Sequence, residues 1–416
     1  MTLLSRIINI ANIHKKEFVL SGLAQLIYMS QSLFQNKIFA VNFETEGFGR
    51  WSLLMSIYTL ISMLPFTALD QGVYSVANDY RKIGEAKSLF TKVTYTYLLI
   101  YAIYIIFALV YVCCCSIPVD VSLTLFMLYT ITEVLKNTYT LIDNAYRNRK
   151  RVLILRLVDF VFRLSMFLIV AYLGYFTINN VLIILIATNL LAITILHEYL
   201  LKFNLELFKD KYTNFYKSVV NFSLPLLVWA LFGWLQNMIG RWYLDIHVDE
   251  SGVALYSMLV SISYFFPYAF YSVVSTYIMP IIYSRDDKCD RKFLYTLLLG
   301  CFAVLLIYFL CIVFWGNKLV LLLADTKYID IVGYLPYTTI TSIVYVIAML
   351  STVEIYRSKN TKKLLFPTIL PGLIMSTAGY FLIMKYQLDG AVINYMIGQL
   401  LYSIIVLPLG INSTSK

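Results

Sequence analysis

The sequence is short of charge. Of its 416 residues only 13% are Asp, Glu, Lys or Arg, about half the share found in soluble domains. Apolar residues make up 60%, and the mean hydropathy is +0.75. A soluble fold is excluded. The weak alternation over about ten residues that marks a membrane β-barrel is missing too. Helices must therefore satisfy the backbone inside lipid. Catalytic signatures are also lacking: there is no P-loop, no paired-Asp motif on a polar loop, no His-Glu-x-x-His and no Gly-x-Ser-x-Gly. That argues against ATP hydrolysis and against an enzyme. Cys113, Cys114 and Cys115 sit together, Cys289, Cys301 and Cys311 are scattered, and no pair has metal-ligand spacing. They read as small apolar residues in lipid, and neither a metal nor a cofactor is expected. No cleavable signal peptide is expected, because the first apolar run is long and follows Lys15 and Lys16. Asn412-Ser413-Thr414 fits a glycosylation pattern but falls on the expected cytoplasmic tail.

Apolar stretches long enough to cross a bilayer recur from end to end. They run at about 18–41, 51–74, 93–116, 119–146, 152–174, 178–201, 218–243, 252–282, 293–315, 333–356, 365–384 and 390–411. The fold expected is an all-α integral membrane protein of about twelve transmembrane helices. The net charge of +10 would suit nucleic acid, but its distribution does not. Of the 33 Lys and Arg residues, 24 fall at the N-terminus, in the even-numbered gaps and at Lys416, and six fall at the odd gaps. The six are Lys37, Arg50, Arg241, Lys318, Lys327 and Lys385; Lys136, Arg156 and Arg163 lie within spans. The positive-inside rule then places both termini in the cytoplasm, and no nucleic-acid partner is expected. The longest outer gap, about 316–332, cannot house a soluble domain.

The chain also reads as two halves. Lys37 and Arg241, and Glu46 and Glu250, are both 204 residues apart. Each half has a basic residue ending a span, a short acidic outer loop with Gly, and a next span carrying proline (Pro65, Pro267). Six spans per half keep the two halves parallel, as in transporters built from parallel repeats. The expected division is 1–205 and 206–416, with 202–217 as linker.

Ionisable residues in lipid cost about 2.5–3.5 kcal/mol each and usually face a cavity or a partner. Spans four and five carry most of them. Glu133, Lys136, Asn137, Thr140, Asp143, Asn144 and Arg147 share one helical face, and Arg156, Asp159 and Arg163 share another. Matching depths across the hairpin predicts three rungs: Glu133 with Arg163, Lys136 with Asp159, and Asp143 with Arg156. Such a ladder either braces the hairpin or lines a hydrophilic cavity. Other candidates stand alone. Asp70 lies near the inner end of span two. Lys37 and Arg241 close the outer ends of spans one and seven, as snorkelling anchors or as functional cations, and Asp245 follows Arg241 by one turn. Glu354, His197 and Glu198 are expected at the interface, as are Trp51, Trp242 and Trp315. Pro65, Pro225, Pro267 and Pro280 are expected to kink their helices.

The segment Gly240-Arg241-Trp242-Tyr243-Leu244, followed by Glu250-Ser251-Gly252-Val253-Ala254-Leu255-Tyr256, resembles the seventh-helix signature of Wzx-type polysaccharide flippases. Phe48-Gly49-Arg50-Trp51, Leu69-Asp70-Gln71-Gly72-Val73 and Asp389-Gly390-Ala391-Val392 resemble further patterns of that family. Asp70-Gln71 departs from it, since many members have Gly-Leu there. The resemblance implies two six-helix lobes of the multidrug/oligosaccharidyl-lipid/polysaccharide (MOP) exporter type. It implies a substrate of undecaprenyl-pyrophosphate carrying an O-antigen or capsule repeat unit, moved across a bacterial inner membrane. It also implies membrane lipids and other polysaccharide-assembly membrane proteins as partners. With no ATPase motif, the energy is expected from an H+ or Na+ gradient or from the substrate's own gradient. Lys37, Arg241 and the Arg163 region would attract the headgroup, and Asp70, Asp159 and Asp245 would couple ions or balance those cations. A drug exporter of the same fold and a membrane glycan polymerase are the alternatives. If Glu133 and Arg163 form a simple rung, each single reversal should abolish transport and the double exchange should restore it.

Overall fold

The computed structural model describes residues 15–82, 86–115, 121–146, 148–195, 212–283, 291–357 and 361–413. Every regular element among them is helical: α1 (Lys15–Asn42), α2 (Thr45–Ile61), α3 (Ala68–Lys82), α4 (Ala86–Cys115), α5 (Val121–Ala145), α6 (Arg149–Tyr172), α7 (Ile178–Ile195), α8 (Tyr212–His247), α9 (Glu250–Tyr283), α10 (Arg291–Leu323), α11 (Leu335–Ser351), α12 (Val353–Arg357) and α13 (Leu365–Asn412). Arg6, Arg147, His197, Glu198, Cys289 and most of the expected linker lie outside the described residues.

Each expected span meets a helix, and the structure explains the mismatches in count. Span two is α2 and α3 joined through a π-helical turn, Ser62–Thr67, that contains Pro65. π-turns are rare single-turn insertions in helices, and the proline, lacking an N–H, suits the break. Spans eleven and twelve form α13, broken at Gln387, whose φ is 49° and ψ −122°. A second break falls at Trp315 within α10. No proline marks either break. α6 stops where Gly174 takes a φ of +73°, a conformation glycine adopts without steric cost. α9 starts on a cap, the Asp249 carboxylate accepting the Gly252 N–H at 2.7 Å.

Seven described stretches are long and apolar enough to span a bilayer. α1, α5, α6 and α8 are not among them, although they run 28, 25, 24 and 36 residues. Their length suffices; charged and polar side chains lower their hydropathy. These four helices also carry most of the residues of the candidate site.

The chain divides into two compact units. One holds the chain up to Ser32 and Tyr58–Leu227; the other holds Leu33–Ile57 and Val228–Lys416. In the first, Phe66, Tyr97, Val134, Tyr139, Ile142 and Leu155 form a buried core. In the second, Leu294, Leu298, Leu305, Ile343 and Val346 do. Lipid offers helices no hydrophobic gain from associating, so close packing must supply it. Gly49 meets that need: a Cβ there would collide with the Glu250 carbonyl. Arg50 Nε binds Glu250 at 2.5 Å beside it. The helix ends on either side repeat as well. α1 ends at Asn42 and α8 at His247, while α2 begins at Thr45 and α9 at Glu250, both offset by 205.

Gln387 holds a backbone conformation that costs a side-chain-bearing residue about 1–3 kcal/mol. Replacing Gln387 by Gly should remove that strain at a smaller entropic cost. The purified Gln387→Gly variant should melt at a higher temperature than wild type in a thermal unfolding assay in detergent.

Candidate functional site

α5 and α6 place four charged side chains at one depth, each less than a tenth exposed. The i, i+3 spacing of Glu133 and Lys136 puts them on one face of α5, and the i, i+4 spacing of Asp159 and Arg163 does the same on α6. Lys136 Nζ lies 2.9 Å from Glu133 and 3.6 Å from Asp159 Oδ2. Arg163 Nη2 lies 3.0 Å from Asp159 Oδ1 and 3.5 Å from Glu133 Oε2. The two upper rungs are thus fused into one closed square in which every charge meets both opposite charges. It is formally neutral.

Uncharged residues complete it. Gln31 on α1 donates to Asp159 Oδ2 at 3.1 Å, and Asn137 donates to Glu133 Oε1 at 3.3 Å. Asn189 on α7 accepts from Arg163 at 3.4 Å and donates to Thr132 at 3.3 Å. Gln31 and Asn189 were not among the candidates. The signal was present: Asn189 stands in a stretch of Ile, Leu and Ala, where an amide needs a partner.

The third rung does not form as expected. Asp143 is buried and pairs with Arg151 at 3.7 Å, with Asn148 donating to it at 3.0 Å. Arg156 instead lays its guanidinium 4.4 Å above the Tyr28 ring of α1, a cation–π contact. Five residues separate Arg151 from Arg156, about 140° around a helix, so only one of them can face α5. Depth alone selected the wrong arginine.

Asp70, on α3 just past the π-turn, accepts the Tyr97 hydroxyl at 2.8 Å. No cation lies within ion-pair distance of it among the described residues. Beside it, Leu69, Val73, Val93, Tyr97 and Val219 line an apolar cavity of about 230 Å³.

In the second unit Lys37 is engaged at a helix end. Its ammonium donates to the carbonyls of Leu321 (2.7 Å) and Ala324 (2.6 Å), the unsatisfied acceptors where α10 stops. Arg241 on α8 is held differently. Its Nε donates to Ser257 Oγ at 2.9 Å and its Nη1 to the Asn237 carbonyl at 3.2 Å. Among the described residues no carboxylate, Asp245 included, lies within ion-pair distance of Arg241. Gln399, Tyr395 and Ser342 extend the polar surroundings: Gln399 donates to Asn237 at 3.5 Å, and Tyr395 and Ser342 share a hydrogen bond of 2.8 Å. Two interfacial expectations fail. Glu354 is only 1% exposed. Trp51 is buried in an edge-to-face contact with Phe39, ring centroids 5.1 Å apart. Trp315 is 54% exposed. The described residues contain no group of three His, Cys, Asp or Glu side chains able to hold a metal ion.

The closed square changes the expected outcome of the exchange experiment. Reversing Glu133 and Arg163 together sets a cation beside Lys136 and a carboxylate beside Asp159, so the double reversal should not restore function. Neutral substitution separates the cases. Arg163→Gln leaves two buried carboxylates to one cation and should cost about 3–5 kcal/mol. Glu133→Gln combined with Arg163→Gln leaves the neutral Lys136–Asp159 pair and should recover most of that loss, read as yield and melting temperature in detergent.

No protein-family model matches the sequence, and no curated protein matches it at a significant level. Solved structures do match. An inward-facing multidrug resistance MATE family transporter of the MOP superfamily superposes with a TM-score of 0.71 at 14% identity, over 91% of this chain and 93% of the other. An outward-facing transporter of the same description gives 0.66 at 16%, over 97% of each. A MOP superfamily transporter from Pyrococcus furiosus, described as having a binding pocket of reverse polarity that suggests a different function, gives 0.67 at 15%, over 95% of each. The chain is therefore a multi-pass helical membrane protein with the fold of MATE-type MOP superfamily transporters.

Proposed function

We propose that this protein is a flippase that carries undecaprenyl-pyrophosphate-linked O-antigen or capsule repeat units from the cytoplasmic to the periplasmic leaflet of a bacterial inner membrane. It works by alternating access between two lobes, 1–205 and 206–416, with both termini cytoplasmic and no enzymatic step. The observation that carries this reading is Arg241. The cations of the square are already neutralised by Glu133 and Asp159, and Lys37 is spent on helix carbonyls. Arg241 stands among hydroxyls and amides, with no carboxylate within ion-pair distance among the described residues. A guanidinium in that setting suits a diphosphate, whose oxygens it can bind in a fork. A sugar-pyrophosphate cannot cross hydrocarbon unaided, whereas its polyprenyl tail can stay in lipid. The resemblance of the segment around Arg241 to Wzx-type flippases points the same way. So does the existence, within this fold, of a transporter whose pocket polarity is described as reversed. Asp70, with no cation partner, is our candidate for coupling to an H+ or Na+ gradient.

Asp70 also favours a second reading, a small-molecule exporter, because a lone carboxylate attracts cationic compounds. Deletion in the host separates the two. A flippase deletion should trap complete repeat units on the cytoplasmic leaflet; an exporter deletion should leave surface polymer intact and raise sensitivity to toxic cations. Unpolymerised single units outside would indicate a polymerase. Normal surface polymer would overturn the flippase reading. Losing a charge-assisted contact costs about 1.5–3 kcal/mol, so Arg241→Gln should cut flipping about ten- to a hundredfold, with Arg241→Lys intermediate.

A further inference from the structure

Tyrosine is abundant in this chain, at 35 residues, and the second unit gathers several into one continuous stripe. On α9, Ser257, Tyr264, Tyr268 and Tyr271 are spaced by seven, four and three residues, which keeps them on one face. Ser257 is the residue that holds Arg241. At 1.5 Å per residue the stripe runs about 21 Å from Ser257 to Tyr271. Two other helices back it. On α11, Ser342 and Tyr345 are three residues apart, and on α13, Tyr395, Gln399 and Tyr402 are spaced by four and three.

The rings form a connected stack. Tyr264 and Tyr268 are near parallel with centroids 5.1 Å apart, and Tyr268 and Tyr271 are near parallel at 5.9 Å. Tyr345 lies 6.1 Å from Tyr264 and 4.7 Å from Tyr402. Tyr345 and Tyr402 are buried, whereas Tyr268 is 46% exposed. The buried pair thus lies at one end of the stack and the exposed ring in its middle. Phenylalanine would fill apolar space equally well; tyrosine adds a hydroxyl that needs a polar partner. A rigid ladder of amphipathic rings leading away from a carboxylate-free guanidinium matches a ligand with a charged head followed by rings that have one apolar face and many hydroxyls.

We infer that the Tyr264–Tyr268–Tyr271 platform is a saccharide subsite, on which the sugar rings of the substrate stack while Arg241 holds the diphosphate. C–H groups on one face of a pyranose pack across the exposed surface of Tyr268, which its offset neighbours Tyr264 and Tyr271 leave uncovered, and the sugar hydroxyls meet tyrosine hydroxyls at the rim. Stacking reads ring shape rather than a particular hydroxyl pattern, so the platform accepts varied sugars. This inference rests on the glycolipid reading of the function.

The test uses full-length protein in lipid nanodiscs and two probes: undecaprenyl pyrophosphate, and the same lipid carrying two N-acetylglucosamine residues. Wild type should bind the glycan-bearing lipid at least tenfold more tightly. Tyr268→Ala and Tyr271→Ala should abolish that preference without changing affinity for the bare lipid. Tyr268→Phe should keep it, and Arg241→Gln should weaken both probes alike. Unchanged melting temperatures of the variants establish that they fold. If wild type prefers the glycan and the alanine variants keep that preference, or if wild type shows no preference, the platform is refuted while the flippase reading stands. If neither lipid binds wild type, the glycolipid reading itself fails and the platform with it.

Discussion

The first unit is organised by one requirement, that a charge buried in lipid must be neutralised where it stands. Hydrocarbon supplies no water to share the cost. Two carboxylates and two cations on α5 and α6 meet that requirement by closing on one another. The square in turn fixes which faces of the two helices oppose. It recruits Gln31 from α1 and Asn189 from α7, because charged groups keep lone pairs and N–H groups to be satisfied after pairing. Four helices are therefore positioned by one polar cluster. Lowered hydropathy marks three of the four, since α1, α5 and α6 are long enough to span but not apolar enough, whereas α7 keeps a high hydropathy around Asn189.

That signature explains what was legible beforehand. Charge is rare in this chain, so each intramembrane charge stands out, and helical spacing assigns it to a face. Glu133, Lys136, Asp159 and Arg163 were therefore found from periodicity alone, and their depths were matched correctly. The azimuth of each side chain about its helix was not legible. That is why Arg156 was paired with Asp143 although it turns to Tyr28 and leaves the pairing to Arg151. Neutral partners were missed because an amide in an apolar run carries no sign to match. The breaks at Gln387 and Trp315 carry no proline, so the residue pattern does not mark them. The burial of Glu354 was hidden by its place at a span end, where an exposed carboxylate is the ordinary case.

Lys37 and Arg241, 204 residues apart, serve different ends. They stand five and six residues before the ends of α1 and α8. Lys37 is a flexible point charge, and it reaches two free carbonyls at the end of α10. That is a structural use, one a compact ammonium fills well. Arg241 is a planar fork, and its partners are a serine hydroxyl, a backbone carbonyl and the Met238 sulfur. None of them cancels its charge. A guanidinium retained in such a place is costly unless something anionic visits it. Lysine at one position is thus tied to the end of another helix, while arginine at the other is held by a serine of α9 and by the backbone of its own helix.

The same reasoning separates the polar features of the two units. The square is balanced in charge: Glu133 and Asp159 already neutralise Lys136 and Arg163, so an anion arriving there would meet two carboxylates. That arrangement suits a brace better than an anion site. Arg241 can accept an anion without displacing any carboxylate, and Asp70 can accept a cation without breaking an ion pair, its Tyr97 hydrogen bond being neutral. A transporter needs sites whose charge is incomplete in the resting protein and is completed only by what it carries, because only such sites gain free energy from the passenger. By that criterion Arg241 and Asp70 are the better candidates for a ligand than the square, since among the described residues neither has an oppositely charged side chain within ion-pair distance.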